Sequence, residues 1–212
     1  MSLNNYEDLN DMCLDALREI GNIGSGNAAS ALSCMLSRLV NIQVPKIRIL
    51  DYNEVSDNFG GPESLMVGLL LSMNGDVNGM MMFLLQKDFA HMTINSLLGS
   101  DLQDFSEVGE MELSAIKEVG NIMAASYINA IASLTNLKIN ITVPDICIDM
   151  VGAILSVPAI HYANISDKII FIENQFDAAK EGADIQHAQS HVLMIPDVES
   201  LNKIMGSLGI GL

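Results

Sequence analysis

A chain of 212 residues, half of them hydrophobic, is long enough to bury a sizeable core as one domain or as two closely packed halves. Its formal net charge of −16, with only ten Lys and Arg and no basic cluster, argues against nucleic acid and anionic lipid as partners. No apolar run approaches the roughly 18 residues of a membrane span and the opening residues lack a secretory signal pattern, so no membrane insertion and a cytoplasmic location are expected.

In chain order, helical periodicity runs over residues 6–39, with Gly24-Ser25-Gly26 as a weak spot. Residues 43–50 alternate as a strand that carries Pro45 at its edge or start. A turn-rich stretch, 51–64, follows. Residues 66–73 and 77–85 then read as two strands joined by Asn74-Gly75-Asp76, a hairpin signal, and a short helix over 88–98 stops at Gly99.

The second half repeats this order. A long helix over 110–134 precedes a strand over 142–149 containing Pro144, strand candidates at 151–157, 168–173 and 190–195, and a closing helix over 197–207. About 11 residues are inserted relative to the first half, and the polar stretch 177–189 is the expected place. The fold class this predicts is α/β (α+β): an internally duplicated helix-strands-helix unit with pseudo-twofold symmetry, its long helices packed on a mostly antiparallel sheet. Residues 1–212 form a single domain of two repeats, about 6–100 and 106–210.

The duplication is written in polar residues as well as apolar ones. A pattern Asp/Ser-x-x-x-Glu-x-x-Asn, followed by 22 residues and a proline, occurs as Asp15, Glu19, Asn22 and Pro45 and again 99 residues later as Ser114, Glu118, Asn121 and Pro144. Residues 15–50 and 114–149 are identical at 12 of 36 positions without a gap, including Gly21/Gly120 and Val44/Val143. A repeated core serves folding, whereas a Glu and an Asn on a solvated face are free to drift, so their repetition points to chemistry performed twice. At about 100° per residue, Asp15, Glu19 and Asn22 share one helix face opposite the apolar side.

Competing signals are weaker. Gly21-Asn-Ile-Gly24-Ser-Gly26 imitates a nucleotide-binding loop but lacks a preceding strand, and Gly24 and Gly26 become Met123 and Ala125 in the second copy. Gly21/Gly120, between Glu and Asn, is expected to let a partner's backbone approach. His187 and His191 have no equivalent pair in the first half and read as incidental, and Cys13, Cys34 and Cys147 read as reduced thiols. No metal constellation is evident. Pro45 and Pro144 are expected to fix the chain as it enters a strand.

The doubled motif resembles that of the CheC family of bacterial chemotaxis phosphatases, the group that includes CheX and FliY. The likeness covers nearly the whole chain, and the length sides with the CheC group rather than with the shorter CheX proteins or with FliY and its extra domain. The resemblance implies a phosphatase acting on the phospho-aspartate of a CheY-like response regulator. Asn22 and Asn121 would orient the attacking water, and Glu19 and Glu118 would meet a lysine of the receiver. Asp15, Ser114, Gly21, Gly120, Pro45 and Pro144 would support the motif. It implies no cofactor in this chain, with magnesium held by the receiver, and a CheD-like receptor deamidase as a further partner. A binding module that sequesters such a deamidase is the alternative reading.

Overall fold

Two copies of one element order run through the computed structural model, which describes residues 3–162, 168–179 and 185–210. In the first copy, α1 (Asp11–Met35) leads through β1 (Val40–Ile42) and β2 (Lys46–Asp51) to the short α2 (Tyr52–Asp57), then to β3 (Leu65–Gly75), β4 (Gly79–Leu85) and α3 (Lys87–Leu98). The second repeats it as α4 (Glu110–Thr135), β5 (Ile139–Ile141), β6 (Asp145–Met150), α5 (Val151–Tyr162), β7 (Lys168–Ala179), β8 (Ile185–Pro196) and α6 (Val198–Ser207).

The eight strands form one sheet in which every pairing is antiparallel. Its path runs β1-β7-β8-β4-β3-β5, with β2 also on β7 and β6 also on β3. Each half therefore lends the other the two short strands that flank its motif proline: β1 and β2 close on β7, β5 and β6 close on β3, and the pseudo-twofold axis falls between β4 and β8.

Helices cover both faces. α1, α3, α4 and α6 pack over one side of the sheet around Leu69, Phe83, Ile172 and Val192. On the other side, residues of α2 and α5 close over Met66, Met82, Phe171 and Leu193. Met80 through Leu85 are buried throughout, which explains why β4 reads as a continuous apolar run rather than an alternation.

Five local expectations need correction. Residues 151–157 belong to α5, and part of 51–64 forms α2. The glycine run at residues 24–26 leaves α1 unbroken. The β3–β4 hairpin forms, but its turn lies at residues 76–78 rather than at Asn74-Gly75-Asp76. Gly75 does adopt a positive φ of 114°, but Met73 pairs with Gly79, and Asn74 and Gly75 pair instead with Asn140 and Ile139 of β5. Finally, the inserted residues are divided. Ile172 stands opposite Ile47 where Leu69 stands opposite Ile146, an offset of 103 rather than 99, so four of them precede β7. All of 177–189 that the structure describes is strand, extending the β7–β8 hairpin; residues 180–184 lie outside the described residues.

Candidate active sites

The two motif segments occupy equivalent positions in their helices. Asp15 is the fifth residue of α1 and Ser114 the fifth of α4. α1 is capped by Asn10, whose side-chain oxygen accepts from the Cys13 amide at 3.0 Å, and α4 by Gly109, whose amide donates to Glu112 Oε2 at 2.9 Å. Capping fixes where each helix starts, and hence which residues its outer face carries.

Apolar spacing then sets the rotation. Leu17, Ile20 and Gly24 of α1, and Ile116, Val119 and Met123 of α4, are buried. Asp15, Glu19 and Asn22, like Ser114, Glu118 and Asn121, are exposed. Among the described residues, neither Glu nor Asn of either motif makes a side-chain hydrogen bond or ion pair within the chain. Asp15 does: its Oδ1 accepts from Arg18 at 2.5 Å.

The motif glycines serve packing, contrary to the expectation that they admit a partner's backbone. Gly21 and Gly120 are buried, and a Cβ at Gly21 would collide with Ile47, one at Gly120 with Leu69. Since Ile47 pairs with Ile172 and Leu69 with Ile146, both glycines sit over a branched aliphatic cross-strand pair and let the helix settle on the sheet. Pro45 and Pro144 directly precede β2 and β6, as expected of residues that set the chain into a strand.

At the second motif the surroundings form an open groove of about 600 Å³, in which Glu118 and Asn121 meet Ser114, Lys117 and Pro144. Met35, from the last turn of α1, also lines it. In the middle of the helix pair, Gly24 lies against the Tyr127 ring and Ser25 Oγ is 2.7 Å from the Tyr127 hydroxyl. α1 and α4 are therefore antiparallel, and the two motifs sit at opposite ends of the pair. Sixteen residues separate Glu19 from Met35, about 24 Å of helix, which keeps the two sites apart.

Chemically, each site offers a carboxylate and a carboxamide one turn apart, free of internal partners. The carboxamide is a donor and acceptor that does not titrate near neutral pH, and the carboxylate suits a cation on an incoming surface. Among the described residues no group of three or more His, Cys, Asp and Glu could hold a metal ion, and no helix is long and apolar enough to cross a membrane.

Sequence reasoning passed over Met12 and Met111. Both are exposed, and each lies three residues before the first motif position on the same helix face. An exposed methionine has no signature of its own; the 99-residue offset between these two was the available signal.

Comparison with known proteins supplies the rest. A family model described as CheC-like matches residues 12–49 and 111–148, one segment in each half. The CheY-P phosphatase CheC of Bacillus subtilis (strain 168) is 34% identical over 98% of this chain and 99% of that protein. The flagellar motor switch phosphatase FliY of the same organism is 30% identical over 65% of this chain, which spans 36% of FliY. Among solved structures, FliY of Thermotoga maritima superimposes with a TM-score of 0.74 at 23% identity, covering 95% of this chain and 98% of that one. The FliM middle domain of H. pylori gives 0.63 at 16%, covering 94% and 99%. The near full-length match to CheC and the family model's double match agree with the doubled motif and its doubled placement: the chain belongs to the CheC-like family.

Proposed function

We infer that this protein is a phosphatase that hydrolyses the phospho-aspartate of a CheY-like receiver domain, with one site on α1 and one on α4. The observation that carries the reading is the pair of exposed Glu/Asn couples, uncommitted to any internal partner and held at equivalent places in two halves. The names of the similar CheC and FliY phosphatases point the same way.

The chemistry asks little of the protein. In hydrolysis of an acyl phosphate the water oxygen bonds to phosphorus as the P–O bond to the aspartyl carboxylate breaks, releasing inorganic phosphate. The leaving carboxylate has an ordinary pKa of about 4, so it needs no protonation, and a loose transition state needs no strong base. What remains is to hold one water in line with the breaking bond. Asn22 or Asn121 does this with its carboxamide, while Glu19 or Glu118 pairs with a cation beside the phosphorylated aspartate and fixes the register of the two proteins. Magnesium belongs to the receiver's own carboxylates. Asp15, Ser114, Gly21, Gly120, Pro45 and Pro144 position the couples. The reaction is cytoplasmic, where such receivers work, and a CheD-like deamidase is a second partner on the strength of the family resemblance.

The test is the decay of a phosphorylated cognate receiver with catalytic amounts of wild type, Asn22→Ala, Asn121→Ala and the double variant. Wild type should hasten decay, each single variant should retain part of the activity, and the folded double variant should return the decay to its spontaneous rate. Undiminished turnover by the double variant would sink the proposal.

A further inference from the structure

At matching positions of the two copies, the fold leaves two large apolar side chains in solvent. Met12 is 62% exposed and Val44 82% at the first site, and Met111 is 69% and Val143 79% at the second. A single exposed apolar residue needs no explanation. These four are two pairs at the 99-residue offset, in copies that are identical at only 12 of 36 aligned positions. Burial cannot be what keeps them alike. At the second site Met111 and Val143 line the same groove as Glu118 and Asn121.

We propose that the Met/Val pairs are the docking contacts for the receiver, a specificity element distinct from the Glu/Asn couples. The inference rests on the function proposed above. A protein that presents an acyl phosphate to Asn121 must cover Met111 and Val143, whereas a small acyl phosphate would not span them. Charge argues for an apolar hold as well. A chain of net charge −16 approaching a phosphorylated group gains nothing from long-range attraction, so buried contact area has to add to the short-range pairing of the Glu. Methionine, unbranched and adaptable, suits a surface that must settle on a partner. The receiver's matching surface is therefore apolar beside its phosphorylated carboxylate.

The experiment isolates the second site in an Asn22→Ala background and adds Met111→Ser with Val143→Ser, exposed positions whose change leaves the core untouched. Two quantities are measured: the Kd for a receiver charged with beryllium trifluoride as phosphoryl mimic, and KM and kcat for the phosphorylated receiver. Truncating two central apolar contacts should raise Kd and KM about tenfold or more. The kcat should stay within about twofold, the pattern of lost ground-state binding. Met111→Leu with Val143→Ile should restore affinity. Unchanged Kd and KM, or a loss confined to kcat, would overturn the proposal, as would sedimentation equilibrium that finds the pair needed only for self-association. If wild type binds the charged receiver without hastening decay, the hydrolytic reading fails while the Kd comparison still decides docking. If wild type does not bind it, both fail.

Discussion

Asp15 and Ser114 hold equivalent positions, yet they leave their neighbours in different electrical states. At the first site the Arg18 guanidinium is drawn onto Asp15 at 2.5 Å. At the second, Ser114 offers no charge, and Lys117 lines the groove beside Glu118 with no ion-pair partner among the described residues. The substrate carries a phosphoryl group, so a free cation should help binding and a neutralised one should not. In an Asn121→Ala background, which leaves the first site working, Asp15→Ser should lower KM. In an Asn22→Ala background Ser114→Asp should raise it. Asp15 and Arg18 are solvent-exposed and Lys117 is half-exposed, so each shift should be roughly two- to fivefold and should fade as salt approaches about 1 M. Steady-state turnover at low and high salt checks it, and equal KM values in all four proteins would refute it. The Glu/Asn couples were legible because polar identity on a solvated face, repeated in register, has no packing explanation. The role of Gly21 and Gly120 was not, since sequence cannot say which way a missing side chain points.

Within α1, two glycines on one helix face opposite physical demands. Gly24 is buried with the Tyr127 ring against it, and a Cβ there would come within 2.5 Å of the ring. That ring cannot easily yield: its hydroxyl lies 2.7 Å from Ser25 Oγ and donates to Asn174 at 3.1 Å, and burial pushes its pKa up to about 12. Gly26 has nothing within 4 Å of where its Cβ would stand. Gly24→Ala should therefore destabilise by about 1–2 kcal/mol through overpacking, while Gly26→Ala should stabilise by up to about 1 kcal/mol through helix propensity alone. Urea midpoints of the two variants should move in opposite directions, and parallel shifts would refute the argument. The same helix explains how sequence reading erred about a weak spot: two glycines cost propensity, but packing against α4 decides the outcome. α5 failed differently. Val151, Ile154, Leu155 and Pro158 are its buried face at helical spacing, but Val157 and Ile160 are apolar on the exposed side, which erases the period and leaves an apolar run that imitates a strand. The repeat itself held the correction, because α2 and α5 begin 99 residues apart at Tyr52 and Val151.

At the level of the whole molecule, the exchange of edge strands binds the halves more tightly than two repeats laid side by side would. The second half's β5 and β6 complete the sheet beside β3, and β7 receives β1 and β2 from the first. The ends are tied too. Asn202 accepts from the Leu3 amide at 2.7 Å and donates to its carbonyl at 2.9 Å, and the Tyr6 hydroxyl donates to the Pro196 carbonyl at 2.6 Å. A fragment of residues 1–103 would keep the β3–β4 hairpin but strand β1 and β2 without β7, and would bare the apolar residues of α1 that face α4. A lone hairpin beside unpaired edge strands is marginal in water. The full chain should therefore unfold in a single transition that coincides by circular dichroism and intrinsic fluorescence. Fragments 1–103 and 104–212 should each lack a cooperative transition alone and regain one when mixed in equal amounts. An isolated first half that melts cooperatively would mean that the repeats fold independently. The strand exchange would then be assembly after folding, and the packing of α1 on α4 that separates the two sites would no longer be fixed by the folding of either half.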